Sequence, residues 1–158
     1  MLLLNLPSYT PKVSQKNGKC MIFDPVRRKN VTLTPEEWVR QHFVNYLITE
    51  KKYPGELIAN EVAISLNGLS KRCDTVVYNC FLEALAIIEY KAPTVSITQD
   101  VFEQIARYNI TLHVKYLIVS NGLDHYCCEI DYENQTYQYL EEIPAYNLLT
   151  QRTTNSSK

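Results

Sequence analysis

The stretch LIANEVAISLNGLSKRCDTVVYNCFLEALAIIEYK, residues 57–91, decides the fold. Two strand-like runs, at 57–66 and 69–78, flank an Asn-Gly dipeptide, which is the strongest short signal for a two-residue hairpin turn. The run at 85–90 is almost wholly apolar, as is typical of a central strand in a sheet covered on both faces. The stretch therefore predicts three successive strands of one sheet.

Helices and further strands extend this pattern on both sides. The segment Thr34-Pro35-Glu36-Glu37 predicts a helix start, with a threonine N-cap, proline at the first helical position and a glutamate that completes a capping box. The other predicted elements are short strands at 20–23 and 31–33, a second helix at about 98–109, a strand at 116–120, and a last hairpin formed by 126–132 and 136–140. This order predicts an α/β sheet layered with helices.

The composition fits one globular domain. The chain has 158 residues, of which 46% are apolar and 21% charged, enough for one core and too few for two. We expect a polar lead-in at 1–18, a single domain at 19–149 and a disordered tail at 150–158.

Net charge and cysteine content narrow the function classes. The formal net charge is −1, so a function on DNA must rest on a local site. The five cysteines form no CxxC pair, which predicts a reduced, cytoplasmic setting. No apolar run has the length of a secretory signal or a membrane span, so no membrane partner is expected.

Three charged residues interrupt the apolar strands. Asp74 lies in the second strand of the hairpin, and Glu89 and Lys91 lie at the end of the central strand. Strand side chains alternate between faces, so Glu89 and Lys91 project to one side and Tyr90 to the other. If Asp74 lies on the neighbouring strand, two carboxylates and an ammonium group meet, and carboxylates are the ligands that Mg²⁺ prefers.

The hairpin register adds a fourth candidate. With a two-residue turn at 67–68, counting outward places Glu61 opposite Asp74. Like charges directly opposite in a sheet are destabilising, and a divalent cation between them would reverse the sign. Glu61 is therefore a further metal-ligand candidate, on the assumption of a regular register.

The same residues also have an ordinary structural interpretation. Glu89 and Lys91 could form an ion pair at a strand end, with Asp74 paired to Arg72 or Lys71. The chemical interpretation is hydrolysis of a phosphodiester, in which Mg²⁺ polarises the phosphate and activates water while Lys91 handles that water.

The second predicted helix carries Gln104 and Tyr108, four residues apart and hence on one face. Asp74, Glu89-Tyr90-Lys91 and this pair resemble the motifs of the PD-(D/E)xK nuclease superfamily, in the branch with a QxxxY motif. The stretches LTPEEWVRQHFVNYL, IIEYKAP, QIARYN and VSNG are similar to the N-terminal nuclease domain of type I restriction enzyme R subunits.

The resemblance spans about residues 23–122 and implies a restriction-endonuclease-like αβββαβ core. A mixed central sheet would be flanked by helices, with extra hairpins at both ends. Because 158 residues leave no room for motor, helicase or methylation modules, we expect a stand-alone form of that domain.

The resemblance also implies residue roles. Asp74 and Glu89 would bind Mg²⁺, or Mn²⁺ in its place, with help from the Tyr90 carbonyl, and Lys91 would serve the water. Gln104 and Tyr108 would support the site and touch DNA phosphate or the lysine. A glutamate from the first helix would join the site, and Glu37 or Glu36 stands at that position. For Glu37 the capping box is a competing explanation.

The sequence therefore predicts a Mg²⁺-dependent endonuclease-type enzyme acting on DNA in a restriction-modification or defence context. Restriction-modification or helicase subunits in trans are the implied protein partners. The alternative is an inactive module on the same fold that binds nucleic acid or protein. A third option is a structural subunit, including a homodimer, that uses the tyrosine-rich strands at 126–139 as an interface.

Overall fold

The computed structural model describes residues 2–66, 68–110 and 113–154, and the side chains of 66, 69, 107–110 and 152–154 are outside the description. The strands are β1 (Val13–Lys16), β2 (Lys19–Asp24), β3 (Lys29–Thr32), β4 (Ile58–Leu66), β5 (Leu69–Tyr78), β6 (Ala84–Tyr90), β7 (Tyr116–Ser120), β8 (His125–Asp131) and β9 (Thr136–Leu140). The helices are α1 (Pro35–Thr49), α2 (Gln99–Ile110) and α3 (Tyr146–Thr154), with a 3₁₀ turn at Gly55–Leu57.

The central sheet is mixed, as predicted. Its strand order is β4-β5-β6-β7-β8-β9, with β6 and β7 parallel and every other neighbouring pair antiparallel. Helix α2 lies in the connection between the two parallel strands. Leu66 pairs with Leu69, the register that a two-residue turn requires. Asn67, in that turn, lies outside the described residues.

The two faces of the sheet carry separate apolar clusters. On one face α1 packs with Val39, Phe43 and Leu47, all fully buried, against Ile88 and other side chains of β6 and β7. Thr34 is the N-cap of α1, as predicted: its hydroxyl accepts a hydrogen bond of 3.1 Å from the Glu37 N–H. On the other face α2 packs through Phe102 against β7 and β8. Both faces of β6 and β7 are thus covered, which explains their apolar sequences.

Two segments depart from the expected organisation. The predicted lead-in contains β1, which pairs with β2 through a two-residue Asn17-Gly18 turn in which both residues have positive φ. The predicted disordered tail is helical as far as Thr154, because α3 begins before it and anchors a fully buried Leu149 in the core. Residues 155–158 lie outside the described residues. No helix in the described ranges is long and apolar enough to cross a membrane.

Candidate metal centre

The candidate site lies where β5 and β6 stop pairing. Their ladder ends at Thr75 opposite Ile88, so Asp74 and Glu89 are the next residues on the two strands. Beyond this point a side chain takes the place of a backbone acceptor: Asp74 Oδ2 accepts a hydrogen bond of 2.9 Å from the Tyr90 N–H. The structure therefore brings Asp74 together with the segment that carries Glu89 and Lys91.

Glu89 is an under-satisfied carboxylate in a low-dielectric position. Its Oε1 is buried and has no hydrogen-bond partner among the described residues. Burial raises the pKa of Glu89 above its ordinary value, and the neighbouring Asp74 carboxylate raises it further by repulsion and hydrogen bonding. The charges of Lys71 and Lys91 act in the opposite direction. A carboxyl pair of this kind is stabilised either by a shared proton or by a cation.

This pKa shift predicts a pH dependence of folding without metal. Because the native state holds a proton on Glu89 that the unfolded chain releases near pH 4.5, stability falls as the pH rises from there through the raised native pKa. Glu89→Gln removes the effect and is expected to be more stable at the alkaline end by about 1–3 kcal/mol. Denaturant unfolding in EDTA at several pH values measures this. If the difference in unfolding free energy between the wild type and Glu89→Gln does not change with pH, the raised pKa of Glu89 is refuted.

Tyr90 points to the opposite face, as the strand alternation predicts. Its buried ring lies beneath α1, with its centroid 5.9 Å from that of Phe43, and the Arg40 guanidinium lies 5.7 Å from the Tyr90 ring. Only the backbone of Tyr90 is therefore placed to serve a site between Asp74 and Glu89.

Glu61 lies opposite Asp74 in register, between the pairs Asn60–Thr75 and Val62–Cys73. Its backbone is in the left-handed region, with φ of 57°, so the ladder is interrupted at this residue. One carboxylate oxygen accepts a hydrogen bond from Arg40 Nη2.

The cation beside Glu61 is thus a guanidinium. Arg72 Nη1 lies 3.5 Å from the other carboxylate oxygen of Glu61, and Arg40 Nη1 also donates to the Asp74 carbonyl at 3.0 Å. The predicted like-charge problem is solved by arginine on the α1 face. A metal-ligand role for Glu61 stays a prediction, and both of its oxygens have arginine partners.

Glu37 is buried on α1, whereas Glu36 is exposed. The Glu37 carboxylate accepts hydrogen bonds from Arg27 Nη2 at 2.5 Å and from Gln41 Nε2 at 2.9 Å, and it lies 3.5 Å from Arg40 Nε. Its described contacts are therefore with two arginines and an amide. A direct catalytic role for Glu37 stays a prediction.

A buried polar network lies beneath β4 and β5, and the sequence did not indicate it. Thr75 donates to Asn60 at 2.7 Å, and Asn60 donates to Asp24 at 3.0 Å. Asp24 is fully buried and also bonds Arg27, which continues the network to Glu37. Burial acts to raise the pKa of Asp24, but the hydrogen bonds from Asn60 and Arg27 hold it below its usual range. The sequence feature that could have indicated this network is the presence of two polar residues, Asn60 and Thr75, in otherwise apolar strand segments.

The remaining candidates are Lys91, which follows β6, and Gln104 and Tyr108 on α2. Lys91 is partly buried, and its charge acts on Glu89. Gln104 is exposed on α2, and Tyr108 belongs to the same helix, although its side chain is outside the described residues. Supporting roles for Gln104 and Tyr108 stay predictions.

The donor set can be compared with the needs of a divalent cation. The ranges described contain no group of three or more His, Cys, Asp or Glu side chains arranged to hold a metal ion. Mg²⁺, however, is usually bound by one or two protein carboxylates and completes its shell with water and substrate phosphate. Asp74, the orphaned oxygen of Glu89 and the Tyr90 carbonyl fit this open kind of site.

The fold has a solved counterpart. It is similar to the fragment structure of an HsdR subunit of a type I restriction enzyme from Vibrio vulnificus YJ016, with a TM-score of 0.57 and 20% sequence identity. The match covers 78% of this chain and 26% of that one, so the chain spans about a quarter of its structural neighbour. The α/β architecture is thus restriction-endonuclease-like.

Sequence comparison gives the family. No curated protein matches the chain. The family model described as type I restriction enzyme R protein N terminus matches residues 35–144, well over half of the chain and a range that includes α1, the β4–β7 strands and α2. The chain therefore belongs to the family of type I restriction enzyme R protein N-terminal domains.

Proposed function

We propose that this chain is a Mg²⁺-dependent deoxyribonuclease domain that hydrolyses DNA phosphodiester bonds in a restriction-modification or defence context. The observation that carries the proposal is the half-buried Asp74–Glu89 pair, in which Glu89 keeps a buried oxygen without a partner among the described residues. Membership of a restriction-enzyme family supports DNA as the substrate. Most buried polar atoms have a hydrogen-bond partner, so a carboxylate oxygen without one is available to a cation.

The proposed mechanism assigns one task to each residue. Asp74 and Glu89, with the Tyr90 carbonyl, would hold the ion, and the Tyr90 N–H fixes the Asp74 carboxylate. A bound Mg²⁺ supplies a polarised phosphate and an activated water. Lys91 follows β6 and its charge acts on Glu89; its ammonium group would orient the attacking water and offset the charge that develops on the phosphate.

The α2 face would complete the substrate site. Gln104 is exposed on this helix and can donate its amide to a DNA phosphate or to the environment of Lys91. Tyr108 lies one helical turn farther along. Their proposed role is to position substrate, while the carboxyl pair holds the ion.

A second candidate is a binding module on the same fold. It is favoured by three half-exposed tyrosines near the sheet edge, Tyr126, Tyr137 and Tyr139, on β8 and on the edge strand β9. Exposed tyrosines are common at interfaces because they add contact area at low entropic cost. Partners in trans or a second copy of the chain could use this surface.

Incubation of the purified protein with supercoiled plasmid separates the two candidates. The nuclease proposal predicts nicked or linear DNA with Mg²⁺ or Mn²⁺, and intact plasmid after EDTA treatment. A folded protein that binds the plasmid but leaves it intact with either metal would overturn the enzyme and favour the binding module.

A further inference from the structure

We propose that Arg40 is a positioning residue that sets the geometry of the metal centre from the opposite face of the sheet. The inference rests on the proposed function, because it concerns how the Asp74–Glu89 pair is held. Arg40 belongs to α1, which packs on the face of the sheet to which Tyr90 points, and strand alternation directs the neighbouring Glu89 to the other face.

Arg40 contacts both strands that carry the proposed ligands. Its Nη1 donates to the carbonyl of Asp74 at 3.0 Å, so it fixes the backbone of the first ligand. Its guanidinium also lies 5.7 Å from the ring of Tyr90, the residue between Glu89 and Lys91. Asp74 and Tyr90 are joined by their own hydrogen bond, so one side chain secures both ends of that contact.

The guanidinium is itself held in place. Arg40 is 5% exposed. Its Nη2 donates to Glu61 and its Nη1 donates to the Asp74 carbonyl, whereas its Nε lies 3.5 Å from a Glu37 carboxylate oxygen without a hydrogen bond among the described residues. Glu37 is oriented in turn by Arg27 and Gln41. A buried guanidinium with two hydrogen bonds and a carboxylate near its third nitrogen has little freedom to move.

This arrangement divides the acidic residues into two sets. Glu37 and Glu61 hold Arg40 on the α1 face, whereas Asp74 and Glu89 present oxygens to the metal centre. A planar guanidinium holds Glu61 and the Asp74 carbonyl with two nitrogens in fixed directions, and a lysine ammonium group, as a single point of charge, cannot reproduce that fork. The inferred role therefore requires arginine as well as positive charge.

Calorimetric titration with Mn²⁺ tests the inference. Groups that orient metal ligands typically change metal affinity 10–100-fold when removed, and we expect a loss of about that size for Arg40→Met and about 10-fold for Arg40→Lys. Arg72→Met is the matched control, since Arg72 also pairs with Glu61 but its side chain is 68% exposed. We expect the Mn²⁺ affinity of Arg72→Met to stay within about twofold of that of the wild type.

A second readout follows the contact itself. Hydrogen exchange of the Tyr90 amide, which donates to Asp74, should accelerate in both Arg40 variants and stay unchanged in Arg72→Met. Val44→Ala, a core truncation on the same helix, controls for lost stability without altering Arg40. If Arg40→Met does not fold, Arg40→Lys decides the question.

The outcomes separate the two proposals. A wild type that binds Mn²⁺, together with Arg40 variants of unchanged affinity and Tyr90 exchange, overturns the positioning role alone. A wild type that binds no Mn²⁺ overturns the metal centre and this inference with it. Equal losses in Arg40→Lys and in an equally destabilised Val44→Ala would also overturn the positioning role.

Discussion

Asp74→Asn is expected to reduce plasmid cleavage by about 10³-fold or more. A bound metal ion contributes several kcal/mol to stabilisation of the transition state, and each 1.36 kcal/mol is tenfold in rate. Asparagine keeps an oxygen that can accept the hydrogen bond from the Tyr90 N–H, so the backbone contact should survive. The variant removes the negative charge of a proposed ligand while leaving the shape of the site.

The matched control for Asp74→Asn is Asp124→Asn. Asp124 is an exposed carboxylate in the turn that follows β7. The Asp124→Asn variant should cleave plasmid at the wild-type rate at the same Mg²⁺ concentration. Wild-type cleavage by Asp74→Asn, with unfolding behaviour like that of the parent, would contradict the assignment of Asp74 as a ligand.

Lys91→Met is expected to lower cleavage by about 10²–10³-fold, the range for removing one group that stabilises developing charge. Metal binding should persist, because Lys91 is not a proposed ligand and Asp74 and Glu89 keep their carboxylates in this variant. A variant that loses cleavage but keeps its Mn²⁺ affinity would show that Lys91 acts in the reaction and does not hold the ion.

The control for Lys91→Met is Lys52→Met, at an exposed lysine that bonds the Thr49 carbonyl at the end of α1. Its cleavage rate should match that of the wild type. Lys91→Met that cleaves as fast as Lys52→Met would show that Lys91 has no part in the chemistry. Simultaneous loss of Mn²⁺ binding and cleavage would place Lys91 in the architecture of the site.

Most of the central sheet could be predicted from local patterns. The strands β4 to β7 follow from apolar runs and one turn dipeptide, and their positions agree with the prediction to within about a residue. The same turn signal was present at Asn17-Gly18, between polar strands. Its neighbours Gln15 and Lys16 are exposed and give no apolar alternation, so the local pattern does not predict β1.

The C-terminal helix shows a different limit. The segment that forms α3 is polar in composition and gives little amphipathic pattern. It is stabilised by single tertiary contacts, including the buried Leu149 and a hydrogen bond of 3.0 Å from Tyr146 to the Tyr78 carbonyl. Such contacts depend on residues distant in the chain, and local periodicity carries no information about them.

The candidate site was predictable on one face of the sheet only. Hairpin register places Glu61 opposite Asp74, and the next strand places Glu89 beside Asp74; the strand pairs that flank these residues have this register. Two carboxylates in this register predict a divalent cation beside Glu61. The structure places Arg40 there, brought from α1 by the tertiary fold across 21 residues of sequence. Sequence spacing locates charges along strands but does not reveal which helix side chain reaches them.

The most direct test of the metal centre is calorimetric titration of Mn²⁺ into the wild type and into Glu89→Gln at neutral pH. The orphaned oxygen of Glu89 predicts one binding event in the wild type and its loss in the variant, with the variant still folded. Equal binding by both proteins, or binding by neither, would contradict a metal centre built on Asp74 and Glu89.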